Sequence, residues 1–190
     1  MNPPSDEDLM LRLQQANDPE AFSELFARYR SRITSYVCRL VGDYDDGQSL
    51  SQETFLRLLE KSDLYSYPRR FSTWLFTIAR NLVTDFHKKK RAVTSDSFDL
   101  MADSQQEPEH RRPDVSTVHD EALRALDEAI DSLPAQHREV LVLRSFYEMS
   151  YREIAEVMEM PLNSVRVALH RGRARLRLAL EEVRDHVATA

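Results

Sequence analysis

Two stretches of the chain carry residue types able to work on nucleic acid. Arg69 to Arg91 holds seven basic residues against Asp85 alone, interleaved with Phe71, Trp74, Phe76 and Phe86 and preceded by Tyr65 and Tyr67. Aromatic rings stack on unpaired bases and cations track a phosphate backbone, so this mixture has the chemistry of a single-strand binder. Tyr65, Tyr67, Arg69, Arg70, Asn81 and Lys88 are the candidate contacts, with the two tyrosines as stacking groups because they fall in a loop. Phe71 and Trp74 sit on an apolar stripe and are expected in a core. The second stretch, Met160 to Leu180, holds five arginines and no acid. Away from its apolar positions stand Ser164, Arg166, Val167, His170, Arg171 and Arg173. Arginine forks on such a helix face can take guanine edges bidentately while other cations neutralise phosphates.

Other chemistries find no support. The six histidines form no ligand spacing such as His-x-x-x-His, and there is no phosphate-binding glycine loop or nucleophile motif. Catalysis, a cofactor and a metal are therefore not expected. Cys38 is the single cysteine, which excludes an internal disulfide and a multi-thiolate zinc site. No apolar run approaches the roughly 18 residues of a membrane span, and the acidic start Ser5-Asp6-Glu7-Asp8 is unlike a basic signal peptide. A cytoplasmic protein with no membrane partner is expected. The net charge of -6 hides its distribution, which is +1 over residues 1–91, -4 over 92–119 and -3 over 120–190. The bases gather in two patches, one in each half.

The elements that must position these residues read as helices throughout. With 190 residues, 42% apolar, 31% charged and only 3 glycines, the composition suits an all-α protein of two small domains. Asp18-Pro19 opens a helix whose stripe runs Phe22, Leu25, Phe26, Tyr29, Ile33, Tyr36, Val37 and Leu40, ended by Gly42-Asp43. A second stripe is Leu50, Phe55, Leu58 and Leu59; a third is Phe71, Trp74, Leu75, Ile78, Leu82 and Phe86, with the loop Ser62 to Pro68 between them. A short helix over Asp6 to Gln15 can share their core. Residues 92–119 have no apolar period and are rich in Asp, Ser, Gln, Glu and Pro, as in a flexible acidic linker. Residues 120–190 are helical again: Leu123, Leu126 and Ile130 mark one helix, and Pro134 starts another. Ser150 and Glu153 then form a capping-box pattern that opens a short helix. After a tight turn, Asn163 or Ser164 caps a last helix with the stripe Val165, Leu169, Gly172, Leu176 and Leu180. This is helix-turn-helix spacing. Taken alone, these residues also suit a repressor or activator whose N-terminal half senses a ligand or dimerises.

Several motifs in order carry a resemblance. Asp18-Pro19-Glu20-Ala21-Phe22, Gln52-Glu53-Thr54-Phe55, Ser72-Thr73-Trp74-Leu75-Phe76-Thr77-Ile78-Ala79-Arg80-Asn81, Leu133-Pro134, Arg138-Glu139-Val140 and Ser150-Tyr151-Arg152-Glu153-Ile154-Ala155 resemble bacterial RNA polymerase sigma factors of the extracytoplasmic-function type. The resemblance implies an N-terminal domain over 1–91 that binds the clamp of core polymerase and captures the melted minus-ten element. It implies a C-terminal domain over 120–190 that binds the flap and reads the minus-35 duplex, with 92–119 as the tether. By position, Asp46, Gln52 and Glu53 would face the clamp, Asn81 and the loop from Tyr65 to Arg70 the non-template strand, and Arg166, Arg171 and Arg173 the duplex. Promoter DNA and core polymerase are the implied partners, with an anti-sigma factor or a Ser/Thr kinase as a regulator.

The chain departs from the family pattern at three places. Asp46-Gly47-Gln48-Ser49 keeps only the first acid of the usual Asp-Ala-Glu-Asp. A phosphate brings about -1.5 to -2 charge, so a kinase acting on Ser49, which stands at a family acid, or on Ser51 or Thr54 would restore what is missing. Glu159 stands at a turn position where glycine is frequent, which calls for left-handed backbone at a cost of about 1 kcal/mol. Ala168 replaces a frequent basic residue and is expected to remove a DNA contact.

Overall fold

The computed structural model describes residues 3–96, 129–130 and 132–187, and among these every regular element is a helix. The chain divides into two compact units, Met1–His110 and Arg111–Ala190. The expectations for residues 97–119, and for Leu123 and Leu126, lie outside the described residues.

The first unit contains α1 (Asp6–Ala16), α2 (Pro19–Val41), α3 (Tyr44–Glu60), a 3-10 turn (Ser62–Leu64) and α4 (Phe71–Asp96). Local chemistry sets their ends. Ser5 and Asp8 form a reciprocal capping box before α1, and Asp18 accepts from the backbone N–H groups of Glu20 and Ala21 with Pro19 in the first turn of α2. Gly42 closes α2 at φ 78°, and the Asp43 carboxylate then accepts from the Asp46 N–H to start α3. Asp18 also accepts from Arg12, and this bond holds its carboxyl below the usual carboxylate range. Leu25, Ile33, Tyr36, Leu58, Phe71, Leu75 and Phe76 have no more than traces of exposed surface. Each contributes on the order of 1.5–3 kcal/mol by leaving water. Rings knit the helices edge to face: Phe26 on Phe55, Tyr29 on Phe71 and Tyr36 on Phe76, with centroids 4.8, 5.1 and 5.0 Å apart.

The expectations for these helices are adjusted in several places. Leu59 is exposed rather than core, because at 100° per residue it rotates past the face on which Leu58 is buried. Leu50, Leu82 and Phe86 are half-buried, and Val83 takes a core place the stripe did not include. α4 runs on to Asp96, past the domain end expected at 91, so residues 92–96 are helix rather than linker.

The second unit contains α5 (Ala135–Ser145), α6 (Tyr151–Val157) and α7 (Leu162–Val187), with Ala129 and Ile130 buried ahead of them. Ser150 and Glu153 make the capping box that their spacing predicts: the Ser150 N–H donates to the Glu153 carboxylate at 2.7 Å, and the Glu153 N–H donates to the Ser150 hydroxyl. The turn to α7 passes through Glu159 at φ 51°, the left-handed position that its place in the motif calls for. α7 begins earlier than expected. Pro161 offers its carbonyl to the N–H groups of Ser164 and Val165, so Asn163 and Ser164 lie inside the first turn rather than capping it. Val140, Leu143, Ile154, Val157, Val165 and Leu169 form the core, and Gly172 lets α7 close on α5. A Cβ there would lie 2.8 Å from Leu141 Cδ1.

Candidate nucleic-acid interface

The face of α7 that turns from the core is the clearest site. Arg166, Val167, His170, Arg171 and Arg173 are exposed, Ser164 is half-buried, and Val165, Ala168, Leu169 and Gly172 are buried. Arg166, His170, Arg173 and Arg177 follow one another at helical steps of four, three and four, and with Tyr151 at the start of α6 they line a shallow groove. Arg144, whose guanidinium lies 5.4 Å from the Tyr151 ring centroid and donates to the Met149 carbonyl at 2.8 Å, steadies that tyrosine. Arg166 reaches Asn163 Oδ1 at 3.3 Å, so the first arginine of the face is held near the helix N-terminus. Burial, followed by the positive charges of Arg175 and Arg171 on α7, lowers the pKa of His137 on α5.

Ala168 is a correction. At 4% exposure it faces the core, so its lack of charge removes nothing from the outward face. Ala168 lies three residues after Val165 and four before Gly172, on the apolar stripe that the sequence shows, whereas Val167 lies off it.

In the first unit the loop between α3 and α4 has an inside and an outside. Tyr65, expected to stack on a base, is only 3% exposed. Its ring lies 5.4 Å from Trp74 and 6.4 Å from Phe71, and its hydroxyl donates to the Arg69 carbonyl. Burial, followed by the charge of Glu7, pushes its pKa up to about 12. Apolar surface won Tyr65 for the core, so it is not available to stack. Tyr67, two residues on, is 62% exposed beside an exposed Arg70. Arg69 is half-buried, with Nη2 donating to Thr77 Oγ1 at 3.3 Å. Asn81 and Lys88 are exposed on α4, Lys88 pairing with Asp85 at 3.3 Å, and Lys89, Lys90 and Arg91 continue the basic run.

Two supports of this loop escaped the sequence reading. The Glu7 carboxylate accepts from the Phe71 N–H at 3.0 Å, capping α4 from α1. Gln14 donates its side-chain amide to the carbonyls of Asp63 and Tyr65 at 3.3 and 3.1 Å. These bonds join residues about fifty to sixty positions apart, and no local pattern encodes them.

On α3, Ser49, Gln52, Leu56 and Leu59 are exposed at helical steps of three, four and three, with Asp46 and Glu53 half-buried at their side. Glu53 pairs with Arg57 at 2.8 Å. Gln48 donates to the Tyr44 hydroxyl at 2.6 Å. Ser51 and Thr54 correct the expectation of three modifiable hydroxyls: both are buried, Ser51 hydrogen-bonded to Thr34 at 2.8 Å and Thr54 donating to the Leu50 carbonyl. A kinase cannot reach either in the folded unit.

An arginine-bearing helix following a tight turn, and a separate helical unit offering a ring and cations on one loop and helix, define a helix-turn-helix DNA-binding protein. Comparison with known proteins gives the family. Residues 25–93 match Sigma-70 region 2 and residues 123–176 match Sigma-70, region 4. The ECF RNA polymerase sigma factor SigW of Bacillus subtilis is 31% identical over 172 residues, covering 87% of this chain and 92% of SigW. The RNA polymerase sigma-H factor of Pseudomonas aeruginosa is 30% identical over 183 residues, covering 93% and 94%. Among solved structures, the sigma factor RpoE from Bartonella quintana, determined with the anti-sigma factor NepR, shares the fold at a TM-score of 0.71 and 22% identity over 85% of this chain and 98% of that one. The chain belongs to the extracytoplasmic-function sigma factors, and its function is promoter-specific transcription initiation.

Proposed function

We propose that the two units divide promoter recognition between duplex and melted DNA. The outward face of α7 reads the minus-35 duplex, with Arg166, Val167, His170, Arg171 and Arg173 at base edges and phosphates and Ser164 at the rim. Tyr67, Asn81, Arg69, Arg70 and Lys88 hold the non-template strand of the minus-ten element, while Tyr65 shapes their loop from inside. Asp46, Gln52 and Glu53 on α3 bind the clamp of core polymerase, and the second unit also binds the flap. The observation that carries this reading is the split of α7, which exposes three arginines, a histidine and a valine over the stretch where Val165, Ala168, Leu169 and Gly172 are buried.

Control by a protein partner is favoured over control by phosphate. Ser51 and Thr54 are closed to a kinase, which leaves Ser49 alone exposed for that route. RpoE of Bartonella quintana is bound to an anti-sigma factor, and a partner of that kind is the regulator proposed for this chain.

The test is reconstitution. Purified protein is mixed with core RNA polymerase, the transcripts are sequenced, and the promoters found are assayed with Arg166→Ala and Arg171→Ala. Each substitution should weaken minus-35 binding by about 1–3 kcal/mol where the arginine is bidentate to guanine, and by less where it meets only phosphate. Wild-type binding should fall steeply with salt. Palindromic duplex binding without any association with polymerase would replace this reading with that of a repressor.

A further inference from the structure

The loop that carries Tyr67 is fastened at both ends by α1, a helix that lies outside the residues matched to Sigma-70 region 2. Glu7 and Gln14 stand two helical turns apart on one face of α1. The first accepts from the Phe71 N–H, where the loop ends and α4 begins; the second donates to the carbonyls of Asp63 and Tyr65, where the loop starts. α1 is itself anchored on α2, with Asp6 accepting from Arg28 at 2.7 Å and from the Tyr29 hydroxyl, and with Leu9, Met10 and Leu13 buried. On the outer side of the loop Leu64 and Tyr67 are exposed. Beneath the loop Tyr65 packs against Trp74, and its hydroxyl donates to the Arg69 carbonyl.

We propose that Glu7 and Gln14 are positioning residues for strand capture: they hold the loop in its base-accepting shape before DNA arrives, so that Tyr67 meets an unpaired base without first being ordered. A loop fixed in advance spends less of its binding free energy on ordering itself. The proposal rests on the reading of the loop as the contact to the melted strand. It assigns α1 a part in promoter opening, although no residue of α1 need touch DNA.

Gln14→Leu and Gln14→Ala remove the donor, Glu7→Leu removes the acceptor, and Glu7→Gln keeps an acceptor oxygen for the Phe71 N–H. Each variant of the full chain is assayed with core polymerase for core affinity, for opening of a promoter carrying 2-aminopurine in the non-template minus-ten strand, and for amide hydrogen exchange over residues 62–71. Gln14→Leu and Glu7→Leu should open promoters about five- to tenfold more slowly, the loss expected for one or two ordering hydrogen bonds. Core affinity should stay at the wild-type value, loop exchange should quicken, and Glu7→Gln should restore most of the rate. In a Tyr67→Ala background the same changes should add little, since the ring they position is gone. Wild-type opening by both leucine variants overturns the proposal, as does full additivity with Tyr67→Ala. If Gln14→Leu does not fold, Gln14→Ala and the pair of Glu7 variants decide. Normal opening by Tyr67→Ala itself would instead overturn the reading of the loop, so the two failures are distinguishable.

Discussion

Tyr65 and Tyr67 are two residues apart in one loop and have opposite fates, which makes them the sharpest test at the scale of single residues. Tyr65 gives its ring to Trp74 and Phe71 and its hydroxyl to the Arg69 carbonyl. Tyr65→Phe should therefore cost about 1 kcal/mol of stability, the worth of one buried hydrogen bond, and leave promoter opening intact. Tyr67→Ala should leave stability unchanged and slow opening, since stacking contributes about 1–3 kcal/mol per base. Urea unfolding followed by Trp74 fluorescence reads the first effect, and permanganate reactivity of minus-ten thymines reads the second. The opposite assignment, with Tyr65→Phe slowing opening and Tyr67→Ala lowering stability, would reverse the inside and outside of this loop. The sequence marked both tyrosines as loop residues and could go no further, because the surface that buries Tyr65 is supplied by α4.

At the scale of elements, the second unit depends on how closely α5 and α7 approach. Gly172 sits where a Cβ would come within 2.8 Å of Leu141 Cδ1 and 3.5 Å of the His137 carbonyl. Gly172→Ala gains about 1 kcal/mol of helix propensity, which offsets the small shift asked of Leu141. Gly172→Val should instead overpack the contact and cost about 1–3 kcal/mol, with Leu141→Ala in the same chain recovering part of the loss. Thermal unfolding followed by circular dichroism checks the order of the three. The capping box of α6 was legible because Ser150 and Glu153 are three residues apart. The start of α7 was not, because Asn163 and Ser164 are both good caps by type and the Pro161 carbonyl settles the matter through geometry.

For the molecule as a whole, acid should act unevenly on the two units. His137 on α5 has its pKa lowered by burial and by the charges of Arg175 and Arg171 on α7. The unfolded chain therefore binds a proton there more readily than the folded unit. The stability this gives is complete above the ordinary histidine value of 6.5 and is lost as pH falls through and below it. Trp74, the single tryptophan, reports only the first unit, whereas circular dichroism follows helices in both. Between about pH 7.5 and 5.5 the dichroism midpoint of the second unit should fall, and His137→Gln should flatten that fall. An equal decline in wild type and variant would assign the effect to other groups.

The helical segments, the caps at Asp18 and Ser150, the turn before α7 and the basic face that follows it were written in the sequence, because each depends on residues within a few positions of one another and on a fixed angular period. The motifs that place the chain among sigma factors are local in the same way. The tertiary structure alone decided which of two tyrosines is buried, that Ser51 and Thr54 are sealed, and that α1 holds the loop through Glu7 and Gln14. Each of these depends on packing or a partner supplied by another helix. Burial free energy and hydrogen-bond satisfaction act between elements, and spacing along the chain carries no record of them.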